Sequence, residues 1–220
     1  MDKNLNYSRR QVLGGMTIGG LALFTAPGLL AELLEVTPAQ AEGPFYPNKL
    51  PLDTDNDLLI LNDKLTAAVG KVTHLHGKVT DVKGNPLRNA LVEIWQVDNN
   101  GAYLHTGDPR HEKLDKNFQG YGRFSTNMKG EYYFRTIKPV SYPGRTPHIH
   151  VMVSYKGKKV LTTQLYVNGE ESNKRDGLLR RAGDKQNLLL VDFLPLKNSK
   201  AGELTAEFNI ILGVTPEDPH

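Results

Sequence analysis

Residues 72–101, VTHLHGKVTDVKGNPLRNALVEIWQVDNNG, decide the fold class. Two extended runs, Val72 to Asp81 and Ala90 to Val97, each give way to turn chemistry: Lys83-Gly84-Asn85-Pro86 after the first and Asn99-Asn100-Gly101 after the second. The same alternation continues toward the C-terminus through Gly122 to Ser125, Glu131 to Ile137, His148 to Tyr155, Lys159 to Tyr166 and Glu203 to Ile211. Roughly seven strands at this spacing predict an all-β fold, a β-sandwich of two mainly antiparallel sheets. Helical patterning is confined to Asp176 to Ala182 and a segment near the N-terminus. Ala102 to Tyr121, with Gly107-Asp108-Pro109, reads as a long loop of the kind that carries function. Glu42-Gly43-Pro44-Phe45-Tyr46-Pro47 reads as an aromatic arm packed against the sandwich, because its prolines lack the ladder donor.

The chain has 220 residues, which allows one domain and a small appendage. It contains no cysteine, so any metal must use nitrogen or oxygen ligands, and thiol catalysis is excluded. A net charge of +3 is mild, and the densest basic stretch, Lys174 to Lys185, is interrupted by Asp176 and Asp184. That is a solvated face, and no nucleic-acid partner is expected.

At the N-terminus, Ser8-Arg9-Arg10-Gln11-Val12-Leu13 precedes an apolar stretch from Gly14 to Ala31, broken at Pro27. Paired arginines ahead of such a run predict a twin-arginine export signal and a periplasmic or extracellular protein. The uninterrupted apolar part is shorter than the ~20 residues a membrane-spanning helix needs, so no stable anchor is expected. Ala39-Gln40-Ala41 offers small residues where a signal peptidase reads. The expected division is a signal and spacer over 1–41 and one sandwich domain over 42–220.

His148-Ile149-His150 lies on a strand, where residues i and i+2 share a face and two imidazoles can converge on one ion. His74-Leu75-His76 has the same spacing, and a lone His-x-His is more often two polar residues on a solvated face. What separates the pairs is the approach Tyr142-Pro143-Gly144-Arg145-Thr146-Pro147, which sets a phenol and a guanidinium beside the second pair.

Several blocks together resemble the intradiol ring-cleavage dioxygenases. They are Glu42 to Pro47, Val92-Glu93-Ile94-Trp95-Gln96 with Gly101 to His105, Gly130 to Pro139, Tyr142 to His150, and Thr163-Gln164-Leu165-Tyr166. The resemblance implies one non-haem Fe(III) per chain, held by Tyr103, Tyr142, His148 and His150. It further implies that Tyr142 is displaced by substrate, that Arg145 stabilises negative charge, and that Gln164 and Tyr46 line the substrate site. Gln96 and His105 match positions read as packing or supporting residues. The implied partners are a catechol-type substrate and O2, with homo-oligomers as in relatives. A phenol with a pKa of ~10 binds as phenolate at neutral pH only to a hard, strongly Lewis-acidic cation, which suits a ferric ion.

Two other readings compete. Gly77 to Val92 resembles strand pairs of non-catalytic transthyretin-like and carboxypeptidase-regulatory-like binding domains, which share the architecture. A zinc or copper hydrolase using both histidine pairs lacks a neighbouring general-base carboxylate. Five residues, Pro143 to Pro147, separate Tyr142 from His148, where protocatechuate-cleaving members carry a longer tryptophan-containing insert.

Overall fold

The computed structural model describes residues 33–61 and 66–213; the arginine pair and apolar run of the expected signal lie outside them. Ten strands follow in order: β1 (Val72–Asp81), β2 (Leu91–Trp95), β3 (Tyr121–Ser125), β4 (Glu131–Ile137), β5 (His148–Tyr155), β6 (Lys158–Val167), β7 (Leu190–Val191), β8 (Phe193–Pro195), β9 (Leu204–Glu207) and β10 (Ile210–Leu212). Among the described residues one short α-helix, α1 (Gly177–Arg181), and three 3₁₀ helices interrupt them. Among the described residues no helix is long and apolar enough to cross a membrane.

Two five-stranded sheets form the expected β-sandwich. In the first, β1 pairs with β4 on one side and with β9 and β10 on the other, and β8 extends the β9 edge. The second runs β3-β2-β5-β6-β7. Antiparallel ladders predominate, with β1 to β9, β1 to β10 and β6 to β7 parallel. The core lies between the sheets: Leu75, Val79 and Phe134 of the first meet Val92, Ile94, Ile149, Val151 and Leu165 of the second, all buried. Each such aliphatic contributes about 1.5–3 kcal/mol relative to exposure.

Alternation places the opposite side of the second sheet away from this core, yet it too is covered. Trp95, Val97, Tyr103, Tyr121 and Met152 form a second apolar cluster, against which Phe45 and Tyr46 of the aromatic arm pack. The arm is unpaired, as its prolines require. A sheet covered on both faces is why β5 is buried from His148 to Val153 without polar alternation.

The run expected as one strand over Glu203 to Ile211 is divided at Phe208 and Asn209. Register on β1 is the same before and after the break, so no residue is inserted. The Phe208 carbonyl instead turns to accept the Tyr132 hydroxyl, and Asn209 Oδ1 takes the Lys78 amide at 2.9 Å. Gly77 makes room, since a β-carbon there would lie 2.0 Å from the Phe208 oxygen. Strands β7 and β8 have two and three residues, too short to show a period in sequence.

Residues 33–41, read from sequence as spacer, lie extended along the sandwich. The Leu34, Thr37 and Gln40 amides donate to the Val82, Ile211 and Thr162 carbonyls. The Gln40 side chain donates to the Leu178 carbonyl and accepts from the Tyr166 hydroxyl, and the Ala41 carbonyl accepts from Gln164.

Candidate metal centre and active site

Register across the second sheet builds the site. Trp95 on β2, His150 on β5 and Gln164 on β6 are direct neighbours, and His148 stands opposite Tyr166 in the next row. All therefore project from the covered face. His148 and His150 are 1% and 3% exposed, and their Nε2 atoms lie 3.3 Å apart.

The two phenols arrive from loops. Tyr142-Pro143-Gly144-Arg145 is a tight turn in which the Arg145 amide donates to the Tyr142 carbonyl at 2.9 Å; Pro143 sets its entry and Gly144, at φ +81°, supplies the left-handed position. Tyr103 follows the Gly101 turn and is fixed by its amide donating to Asp108 Oδ2 and by Phe45 stacked on its ring at 5.1 Å. Its hydroxyl oxygen lies 3.2 Å from His148 Nε2, 2.9 Å from His150 Nε2 and 3.4 Å from the Tyr142 hydroxyl. Four heteroatoms from three separate segments thus face one point. Their spacing is what ligands adopt when each is ~2 Å from a shared ion.

The surroundings orient the rings. His148 Nδ1 sits 2.7 Å from the Thr146 carbonyl, which assigns it the proton and leaves the Nε2 lone pair inward. His150 Nδ1 has no hydrogen-bond partner among the described residues. Trp95 holds that ring instead, stacked at 4.7 Å and 9°, while Gly43 of the arm covers its Cε1 edge.

Burial, followed by the positive charge of Arg145, pushes the His148 pKa down to about 3. Burial and then His148 push His150 well below its ordinary value, and burial and then Tyr142 push Tyr103 well above the ordinary phenol value. The imidazoles are therefore neutral, as ligands must be, whereas a Tyr103 phenolate calls for a compensating cation. Among the described residues no three His, Asp or Glu side chains are placed to share an ion, so a metal here depends on the phenols. The donor set fits a hard trivalent cation.

Arg145 lies beside this group. Its Nη2 donates to Gln164 Oε1 at 2.6 Å, Nη1 reaches the Tyr142 hydroxyl at 3.5 Å, and Nε donates to Asp176 Oδ2 at 2.8 Å. Asp176 is buried and fully partnered, accepting also from the Thr146 amide and, as the cap of α1, from the Leu178 and Leu179 amides. Burial opposes the guanidinium charge, but the Asp176 hydrogen bond together with the charge interactions of Tyr142, Asp176 and Tyr166 outweighs it, raising the Arg145 pKa above its ordinary value. Sequence reasoning missed Asp176 because it reads there as one acid in a solvated basic run.

Tyr103, Tyr142, His148, His150, Arg145 and Gln164 are thus gathered in one place. Tyr46 is set differently: its hydroxyl donates to buried Glu93 at 3.0 Å and its ring meets Trp95 edge-on. The adjacent arm residue, Phe45, lines the cavity in front of the phenols. Gln96 bridges to the first sheet through Thr136 and the Ile137 carbonyl, and His105 packs edge-on against Phe45.

A family model described as "Dioxygenase" matches residues 41–213. The chain belongs to the intradiol ring-cleavage dioxygenase family. It is 35% identical over 168 residues to the protocatechuate 3,4-dioxygenase beta chain of Burkholderia cepacia, covering 72% of this chain and 71% of that one. It is 33% identical to the catechol 1,2-dioxygenase of Acinetobacter baylyi over 61% of this chain, spanning about half of that relative's length at 47%. Among solved structures, the dioxygenase domain of a carbohydrate-binding fusion from Streptomyces sp. SirexAA-E superposes with a TM-score of 0.63 at 32% identity. That match covers 82% of this chain and all of that domain.

Proposed function

We propose that the protein is an exported intradiol dioxygenase that opens a catechol-type ring between its two hydroxylated carbons. Both atoms of O2 enter the product, a muconate-type diacid, so no external reductant is consumed. The observation that carries this reading is the convergence of Tyr103, Tyr142, His148 and His150 on one point beside Arg145.

Those four side chains would hold ferric iron, which when bound supplies the Lewis acidity that stabilises phenolates and activates the diol toward O2. Tyr142 is the more exposed phenol and stands on a turn, so its oxygen is suited to give way to the diol and accept one hydroxyl proton. Arg145 is pinned by Asp176 and Gln164 and presents Nη1 to the Tyr142 oxygen. A fixed cation at that position stabilises negative charge developing on the substrate in a site that excludes bulk water. Trp95, Phe45 and the Gly43 backbone provide that exclusion over the imidazoles and Tyr103.

Export by the twin-arginine route, which carries folded proteins, is supported by Arg9-Arg10 and the apolar run behind them. A non-catalytic binding domain gains no support from the donor cluster or from the relatives' names. The test is to supply purified, iron-loaded protein with a panel of catechols and follow O2 uptake and diacid formation. Uptake with equimolar diacid supports the proposal; a colourless protein that consumes no O2 with any of them overturns it.

A further inference from the structure

Glu93 is a buried carboxylate outside the donor cluster. It stands on β2 two residues before Trp95, on the covered face of the second sheet, and is 8% exposed. Its Oε1 accepts two phenols, the Tyr121 hydroxyl at 2.5 Å and the Tyr46 hydroxyl at 3.0 Å. Tyr121 comes from β3, paired opposite Trp95, so the sheet ladder fixes both it and Glu93. Tyr46 comes from the aromatic arm, which no ladder holds. Polar contacts at the arm's two ends, Glu42 with Lys159 and Asn48 with Thr106, are exposed. Between them the Tyr46 hydroxyl reaches inward to the covered face.

We propose that Glu93 is a positioning residue for ring opening: it holds the Tyr46 hydroxyl and thereby sets Phe45 against Tyr103. This rests on the dioxygenase reading and deepens it. Phe45 stacks on the Tyr103 ring at 5.1 Å and walls the cavity in front of the two phenols. It is the immediate neighbour of Tyr46, and prolines at 44 and 47 stiffen the backbone on both sides, so a shift of the Tyr46 ring is passed to it. A phenylalanine at position 46 would make the same edge contacts with Trp95 and Tyr121, at 5.1 and 6.0 Å. What the hydroxyl adds is the bond to Glu93. Burying a carboxylate is costly unless hydrogen bonds satisfy it, and two phenol donors do so with charge-assisted bonds. Burial, followed by the charge of Glu93, raises the Tyr46 pKa; burial, followed by the Glu93 hydrogen bond, raises that of Tyr121. Both hydroxyls therefore stay protonated as donors, which sets Tyr46 apart from the ligand phenols.

Trp95 is the sole tryptophan of the chain and contacts both Tyr46 and His150, so its fluorescence reports the arm without iron. In iron-free, full-length Tyr46→Phe the emission should shift to the red and acrylamide quenching should rise, as water reaches an indole that is fully buried in the wild type. In the iron-loaded protein kcat/KM for catechol should fall by about tenfold or more, the size of a lost hydrogen bond to a charged group. Glu93→Gln, which keeps an acceptor, should lose less. Because the hydroxyl acts through Phe45, adding Tyr46→Phe to Phe45→Ala should cost less than about twofold beyond Phe45→Ala alone. Unchanged emission and quenching, or full additivity of the two losses, overturns the proposal. Altered emission with kcat/KM within about twofold of the wild type also overturns it, leaving Glu93 a purely structural contact. If the wild type opens no catechol, the dioxygenase reading fails, while the fluorescence of the iron-free proteins still judges whether Glu93 holds the arm.

Discussion

His74-Leu75-His76 and His148-Ile149-His150 are the same three-residue pattern on two strands of one sandwich, and each has a tyrosine hydroxyl within hydrogen-bonding distance of an imidazole. His74 Nδ1 lies 2.6 Å from the Tyr133 hydroxyl, much as His150 Nε2 lies 2.9 Å from that of Tyr103. The difference is what lies over the sheet. On β1 the histidines are half-buried, His76 meeting Thr205 and His74 lying 3.6 Å from Glu203, so each ring turns to its own neighbour. On β5 the arm and two loops close over the pair, and among the described residues the two Nε2 atoms meet only one another and the Tyr103 hydroxyl. The spacing turns two imidazoles the same way, and the cover is what brings phenols to them.

Removing a ligand from the covered pair should separate the two regions most widely. His150→Ala is expected to lose bound iron and to lower ring-opening activity by more than the ~10–100-fold typical of outer supporting residues. The double replacement of His74 and His76 by Ala should keep full metal content, measured by metal analysis of the purified proteins. Equal metal loss in both would mean the cover is irrelevant.

The next effect concerns the support of Arg145. Asp176→Asn is expected to reduce kcat by about 10–100-fold, the range for a residue that supports the acting group from behind, with a smaller change in KM. The same variant has a pH signature. Burial alone would raise the Asp176 pKa, but the hydrogen bond from Arg145 and the amides of Leu179 and Thr146 outweigh it and hold it below the ordinary value. Its contribution to stability is therefore complete above about pH 4 and drains away as pH falls through the lower folded value. Wild-type unfolding should show that acid limb and Asp176→Asn a flatter one; identical limbs would contradict the pairing.

On the first sheet the sensitive position is a backbone contact. Gly77→Ala places a methyl against the Phe208 carbonyl and should destabilise by about 1–3 kcal/mol, or roughly 2–4 °C in Tm for each kcal/mol. The smallest effect is expected at the half-buried His74–Glu203 contact, 3.6 Å long: Glu203→Gln should change stability by less than about 1 kcal/mol. A larger loss would show that this surface is more tightly organised than a single long contact implies.

The strand positions and both His-x-His pairs were legible because each depends on local spacing. Position on β5 also made His148 and His150 point the same way without further information. Tyr103 could not be singled out among nine tyrosines on local grounds, since its role depends on Phe45 and Asp108 bringing a loop back over the sheet. Asp176 was hidden for a similar reason: it meets Arg145 across 31 residues, and its neighbours in sequence are basic surface residues. The covering of the second sheet was suggested by the prolines of the arm, but not the second segment beneath it, because residues 33–41 carry no strand period and bond one residue at a time.

That earlier segment has a practical consequence. Ala41 offers its carbonyl to Gln164, which in turn aligns Arg145, and Gln40 ties Tyr166 to α1, whose cap is Asp176. A recombinant version starting at Glu42 would lack the hydrogen bonds with which Gln40 and Ala41 brace Gln164, Tyr166 and α1.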